Sequence, residues 1–192
     1  MAFDAYLRFL LPPVDGEVTL DPKKYEVEGA DGNDKWISIE EYGFSATMPV
    51  TQSRSGGTGA ATTGKGKLEP FTFKKPVDAT SMYLAFHAAA GTVFKKIVVN
   101  VFASIDDGSG AAQKPHRFLT VILQGAVIGS CAFSGGGGDD LPTEDVSINY
   151  GSITYKYSGF KVDEESGAIT VGDAARNSQF NWNTITNSGT KG

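Results

Sequence analysis

The sequence predicts a mostly β fold, a small antiparallel β-barrel of two packed sheets with one flanking α-helix. Three observations carry this expectation. Apolar and polar residues alternate with period two in Trp36–Met48, Leu141–Phe160 and Gln179–Thr186, as strands with one buried face require. The 24 glycines fall mostly in clusters between those runs, which suits strands joined by turns and long loops. Only Asp78–Ala90 departs from the pattern as a helix, so the helix–strand alternation of parallel nucleotide-binding folds is absent. At 192 residues the chain is expected to form a single domain over 1–192.

The elements follow in order. Phe3–Leu11 reads as a strand broken by Pro12-Pro13, and Glu17–Leu20 as a short strand between Asp15-Gly16 and Asp21-Pro22. From Trp36 to Met48 the apolar positions are odd at Ile37 and Ile39, then even at Tyr42, Phe44, Ala46 and Met48. This switch predicts a bend near Glu40-Glu41. Gln52–Lys67 holds no large apolar residue and is dense in Gly, Ser and Thr, so it reads as a protruding loop. A strand around Leu68–Lys74 leads to the helix. Asp78 or Thr80 can cap its start, Val77, Leu84, Ala85 and Ala88 fall along one face, and Gly91 suits its C-terminal end.

Beyond the helix, Val93–Ile105 and Arg117–Phe133 are long β-branched runs around the polar segment Asp106–His116, the pattern of a long hairpin. In Leu141–Phe160 the phase carried by Val146, Ile148 and Tyr150 gives way to Ile153, Tyr155 and Tyr157. A bulge is expected at Gly151, with a backbone that calls for positive φ. Ala168–Val171 and Gln179–Thr186 add strands, the latter alternating Phe180, Trp182 and Thr184. Residues 187–192 read as a flexible polar tail.

Charge and composition exclude several function classes. A net charge of −5 without any Lys/Arg block argues against nucleic acid, which needs clustered cations. The start Met1-Ala2-Phe3-Asp4 has no basic region before an apolar run, and no stretch reaches the roughly 18 apolar residues of a membrane helix. Neither a Sec signal peptide nor membrane insertion is expected. The single cysteine, Cys131, cannot form an internal disulfide, so folding in the cytoplasm is expected.

Catalytic and ligand motifs are incomplete. Gly59-Ala60-Ala61-Thr62-Thr63-Gly64-Lys65-Gly66 fits the first seven places of a phosphate-binding loop, but Gly66 stands where the Mg²⁺-binding Ser or Thr belongs. Pro70 also opposes the helix whose amides would hold the phosphates. Gly135–Gly138 is followed by Asp139-Asp140, whose carboxylates would repel phosphate, and reads as a hairpin loop. Asp31-Gly32-Asn33-Asp34 lacks the closing Glu of a Ca²⁺ loop and reads as a turn. His87, His116 and Cys131 share no zinc-site spacing, and Cys131 reads as a small buried core residue. No catalytic residue, cofactor or metal is therefore assigned.

Several ordered features resemble one family. They are Met1–Tyr6 followed by Val14-Asp15-Gly16-Glu17, Lys74–Ser81 entering the helix, the Ala90-Gly91 exit, the strand Leu123–Ser134, Leu141-Pro142-Thr143-Glu144 leading into Val146–Tyr157, and the closing Phe180-Asn181-Trp182-Asn183. Together they resemble the Hcp family, the haemolysin-coregulated tail-tube proteins of bacterial type VI secretion systems. The chain departs from the family pattern in its Pro-containing Leu10–Val14 start and its longer Asp106–His116 hairpin.

The resemblance implies six-membered rings stacked into the inner tube of a contractile injection machine. Its partners would be further copies of the chain, the contractile sheath, a VgrG-type spike and small effector proteins in the lumen. Assembly would take place in the cytoplasm and be followed by secretion. The family's extended inter-ring loop corresponds to Gln52, Ser53, Arg54, Ser55, Gly56, Gly57, Thr58, Gly59, Thr62, Thr63, Gly64 and Lys65. Asp78, Gly91, Gly151 and Trp182 would be structural. A phage-type tail tube, and from another class a β-barrel binding module or hydrolase with a pocket between loops, stand as alternatives.

Overall fold

A computed structural model describes residues 3–21, 25, 27–28, 35–51, 62–105, 114–136, 141–162, 169–171 and 177–192. Strand β1 (Phe3–Leu11) leads through β2 (Pro13–Val14) and β3 (Val18–Thr19) to β4 (Lys35–Ile39), which turns at Glu40 into β5 (Glu41–Gly43). Four two-residue strands follow, β6 (Ala46–Thr47), β7 (Val50–Thr51), β8 (Thr62–Thr63) and β9 (Lys67–Leu68). Next come β10 (Phe71–Pro76), helix α1 (Ala79–Ala90) and the long strands β11 (Val93–Ile105) and β12 (Lys114–Ser134). The chain continues through β13 (Thr143–Asn149), β14 (Ser152–Tyr157), β15 (Phe160–Val162), β16 (Ile169–Val171), β17 (Ser178–Asn183) and β18 (Ser188–Lys191).

The main sheet is antiparallel and runs β18-β17-β14-β12-β11-β1-β4-β3, with β13, β10 and β5 branching from β12. These branches curl round until Glu40 N–H donates to the Lys74 carbonyl. The circuit from β5 back to β4 then runs through the chain itself, not through a further ladder. The expected barrel is therefore two packed sheet halves sharing a corner and is not closed. The bend expected near Glu40-Glu41 is that corner.

Between the halves lie Leu7, Phe9, Ile37, Ile39, Phe71, Phe73, Phe94, Ile97, Val99, Val101, Val121, Leu123, Ile128, Val146 and Ile148, with Leu84 of α1 closing one end. The middle strands β1, β11 and β12 are buried on their other face too, at Arg8, Val98, Asn100, Phe102, Thr120 and Ile122. This explains why they read as nearly continuous apolar runs. Over that face lie Trp36, whose ring sits 5.8 Å from the Arg8 guanidinium, and Tyr25, edge-on to Phe102 at 5.1 Å. Asn100 holds Glu28 by accepting from its N–H and donating to its carbonyl.

Strand β12 changes partner along its length. Leu119–Gln124 pair with β14 and Val127–Ser134 with β13, and the register is the same on either side of the change. Both strands reverse phase together at Gly125 and Gly151. The sequence expectation placed a bulge and positive φ at Gly151, but the positive φ, 58°, belongs to Gly125. The register slips at Gly129, between Ile128 and Ser130. Gly151 instead caps the corner, its N–H shared by the carbonyls of Gln124 and Gly125.

Residues 187–192 also differ from expectation. Ser188–Lys191 form β18, paired with β17 from Phe180↔Lys191 to Asn183↔Ser188. Main-chain pairing orders this segment without any apolar side chain of its own.

Candidate assembly surfaces

Helix α1 is set by its ends. Asp78 accepts from Thr80 N–H, Ser81 Oγ accepts from Asp78 N–H to complete a capping box, and Gly91 closes the helix at φ 62°. Thr80, Ser81 and Leu84 face inward. The twelve residues carry no Asp, Glu, Lys or Arg, yet Met82 (61% exposed), Tyr83 (61%) and Phe86 (65%) face outward. Exposed apolar side chains gathered on one uncharged helix are suited to a contact surface.

Beneath the start of α1 lies a buried ionic clamp that sequence reasoning missed. Lys75 Nζ is 2.7 Å from Glu144 Oε1 and 2.7 Å from Asp78 Oδ1, and it also donates to the Pro76 carbonyl and Ser81 Oγ. The side chains of Lys75 and Glu144 are fully buried. Ser81 Oγ donates to Glu144 Oε1 at 2.7 Å, and the Cys131 thiol donates to Oε2 at 3.4 Å. Burial acts to raise the Asp78 pKa, but hydrogen bonds from Lys75 and Thr80 outweigh it and hold the carboxyl below its usual range. Burial, then the bond to Glu144, pushes the Cys131 thiol up to about 12. Cys131 thus lies half-buried on the clamp and only packs against the core from its margin.

The clamp was visible in principle. Lys75 shares the inward phase of Phe71 and Phe73, and Glu144 that of Val146 and Ile148, so each strand carries a charge at a core position. These two strands are neighbours, with Lys75 opposite Glu144.

The second surface is an arm. β6 pairs with β9 (Ala46↔Leu68, Thr47↔Lys67) and β7 with β8 (Val50↔Thr63, Thr51↔Thr62), so a two-stranded ribbon leaves the body after β5 and returns before β10. Met48-Pro49 oppose Gly64-Lys65-Gly66, a bulge at which Gly64 N–H donates to the Pro49 carbonyl. A Cβ on Gly64 would lie 2.8 Å from Pro49 Cγ, so the close approach requires glycine. Of the expected loop residues, Thr62 and Thr63 form β8 and Gly64 and Lys65 the bulge. Gln52, Ser53, Arg54, Ser55, Gly56, Gly57, Thr58 and Gly59 lie outside the described residues.

The remaining chemistry is dispersed. The phosphate-loop lookalike enters strand β8, and the next described helix is α1. His87 bonds Thr92 Oγ1 at 3.0 Å and His116 approaches the Ser158 carbonyl at 3.4 Å, each apart from Cys131. Among the described residues no three His, Cys, Asp or Glu side chains are grouped to hold a metal, and no helix is long and apolar enough to cross a membrane.

With this geometry in hand, the profile described as "Type VI secretion system effector, Hcp" matches residues 14–157. The chain belongs to the Hcp family. Among solved structures, one titled "Structure of a type six secretion system protein" has a TM-score of 0.68 at 25% identity, covering 98% of this chain and 100% of the other. Hcp1 from Salmonella typhimurium has a TM-score of 0.62 at 15% identity, covering 99% and 100%. Hcp1 from the E. coli EAEC 042 pathovar has a TM-score of 0.59 at 17% identity, covering 89% and 97%. The last two show a shared fold. No curated protein sequence is similar enough to count as a match. Hcp proteins are structural tube proteins of the type VI secretion system, and membership places this chain with them and not with an enzyme family.

Proposed function

We propose that this Hcp protein forms six-membered rings that stack into the inner tube of a type VI secretion system, assembled in the cytoplasm and expelled with a VgrG-type spike when the sheath contracts. Small effector proteins would travel in the lumen. The observation that carries the reading is the family match over 14–157 joined to fold similarity along nearly the whole chain. A ring needs two different complementary surfaces, since head-to-tail contacts close only when the rotation per subunit divides a full turn. The uncharged outer face of α1 is one surface suited to contact, and the arm, which leaves the body, is suited to bridge one ring to the next.

The test is native mass spectrometry with negative-stain microscopy, on the whole chain and on a variant in which residues 50–63 are replaced by a short Gly-Ser turn. The whole chain should give six-subunit rings and tubes. The variant should keep ring mass and lose tubes, because six weakened contacts at each junction multiply into a large loss. Monomer alone across the micromolar range would remove the ring. Monomers from the variant only would place the arm within the ring contact.

A further inference from the structure

The hairpin of β17 and β18 lies outside the stretch that matches the family profile and packs against the root of the arm. Trp182 stacks on Phe180, with ring centroids 6.3 Å apart and planes at 19°. Phe180 lies 6.4 Å from Phe44, and Phe44 5.2 Å from Tyr155. An aromatic row therefore crosses from β14 to Phe44, two residues before the arm begins. A Cβ placed on Gly66 would lie 3.4 Å from Met48 Cε and 3.9 Å from Trp182 Cζ2, so the returning arm strand passes beside the indole at Gly66, with Met48 of the outgoing strand on the same glycine. Opposite Trp182, any Cβ on Gly189 would collide with the Asn181 carbonyl and the indole, so glycine lets the ring lie against β18.

Hydrogen bonds brace the other side. Thr184 Oγ1 lies 2.9 Å from the carbonyl oxygens of both Tyr150 and Gly151, which share its one proton, and Tyr150 Oη donates to the Glu69 carbonyl at 2.9 Å, just past β9. A shallow cavity of about 370 Å³ between arm and hairpin is lined by Lys65, Gly66, Leu68, Trp182, Thr184 and Asn187.

We propose that the C-terminal hairpin is a brace that fixes the direction of the arm, with Trp182 as its positioning residue. The proposal rests on the reading of the arm as the contact between rings. An isolated two-stranded ribbon is marginally stable in water, and one interrupted by a bulge has a ready pivot. A ribbon aimed before contact loses less entropy when it docks, so the brace strengthens each junction without touching the neighbouring ring.

Hydrogen exchange on the full-length protein tests this. In Trp182→Ala the arm-root amides of Gly64 and Glu69, which donate to Pro49 and Ser45, should exchange on the order of tenfold faster than in wild type, while β11 and β12 amides keep their rates. Trp182→Phe, which can still stack on Phe180, should restore protection. Tyr150→Phe, which removes only the hydroxyl, should loosen Glu69 alone and keeps the test available if Trp182→Ala misfolds. Shorter tubes at unchanged ring mass should accompany the faster exchange. Unchanged arm-root exchange in Trp182→Ala, or equal acceleration throughout the molecule, overturns the brace. Faster arm-root exchange with normal tubes upholds the brace and refutes the arm's role in stacking.

Discussion

Lys75→Met should be far more damaging than Glu144→Gln, although both disrupt the same buried clamp. The cluster holds one cation and two carboxylates. Removing Lys75 leaves Glu144 fully buried with only the neutral donors Ser81 and Cys131, and leaves Asp78 beside it without a counter-charge. An uncompensated buried charge of this kind costs about 3–5 kcal/mol. Glu144→Gln leaves Lys75 paired with Asp78, so its cost is that of a weakened hydrogen-bond network, about 1–3 kcal/mol. For a chain of this size each kcal/mol lowers Tm by about 2–4 °C, so Lys75→Met should melt roughly 6–20 °C below wild type. The double variant should be more stable than Lys75→Met alone, because it no longer buries the lone Glu144 charge. Scanning calorimetry on the four proteins supplies the cycle. Equal losses from the two single variants, or strict additivity in the double, would refute the charge argument.

Three further outcomes follow from the same structure. Asp78 is held below the usual carboxylate range, so its contribution to stability is complete above that range and is lost as pH falls through the lowered pKa; Asp78→Asn should flatten the acid limb of a Tm-versus-pH curve, and an unaltered limb would exclude it. Gly125→Ala should cost about 1–2 kcal/mol because of its φ of 58°. Gly151→Ala should cost less, since a Cβ there would meet no atom closer than 3.4 Å; urea melts giving the reverse order would move the corner back to Gly151. Cys131, with its thiol pushed up to about 12, should label with iodoacetamide far more slowly at pH 8 than an unfolded cysteine and faster in Glu144→Gln, as read by mass spectrometry. Rapid labelling of wild type would contradict the bond to Glu144.

What the sequence made legible was local. The helix and both its caps lie within fourteen consecutive residues, Asp78 to Gly91, so their interactions could be read in order. The phase reversals near Glu40 and Gly151 were legible for the same reason. Which glycine takes the positive φ was not, because it depends on the strand opposite: Gly125 and Gly151 face each other, and one strand's pattern cannot say which yields. Strand β18 escaped notice because main-chain pairing holds it, leaving no apolar period to detect. The arm-root strands lay at the ends of runs read as strands to Met48 and from Leu68, but alternation along each does not show that they pair with one another. Barrel closure depends on how the chain passes Glu40, and alternation along a strand carries no information on that.

The continuity of β12 gives the assembly reading a mechanical basis. Its C-terminal half, beyond Gly125, pairs with β13, which carries Glu144 of the clamp, and Glu144 joins Cys131 of this half to Ser81 of α1. Its N-terminal half pairs with β14, which pairs with β17 and so leads to the hairpin and the arm root. The helix face and the hairpin at the arm root are therefore mounted on one unbroken 21-residue strand, with the bend between them held at Gly125 and locked by Gly151 N–H, and the arm itself joins the C-terminal half through β10 and β13. A ring closes only if every subunit turns the chain through the same angle, and a tube grows only if each ring presents its arms in the same direction. Two surfaces on separately moving elements would spread both angles and favour open chains. Fixing them to one strand across a single hydrogen-bonded corner makes the angle a property of the fold, so errors at Gly125 should appear as misclosed rings before they appear as unfolded protein.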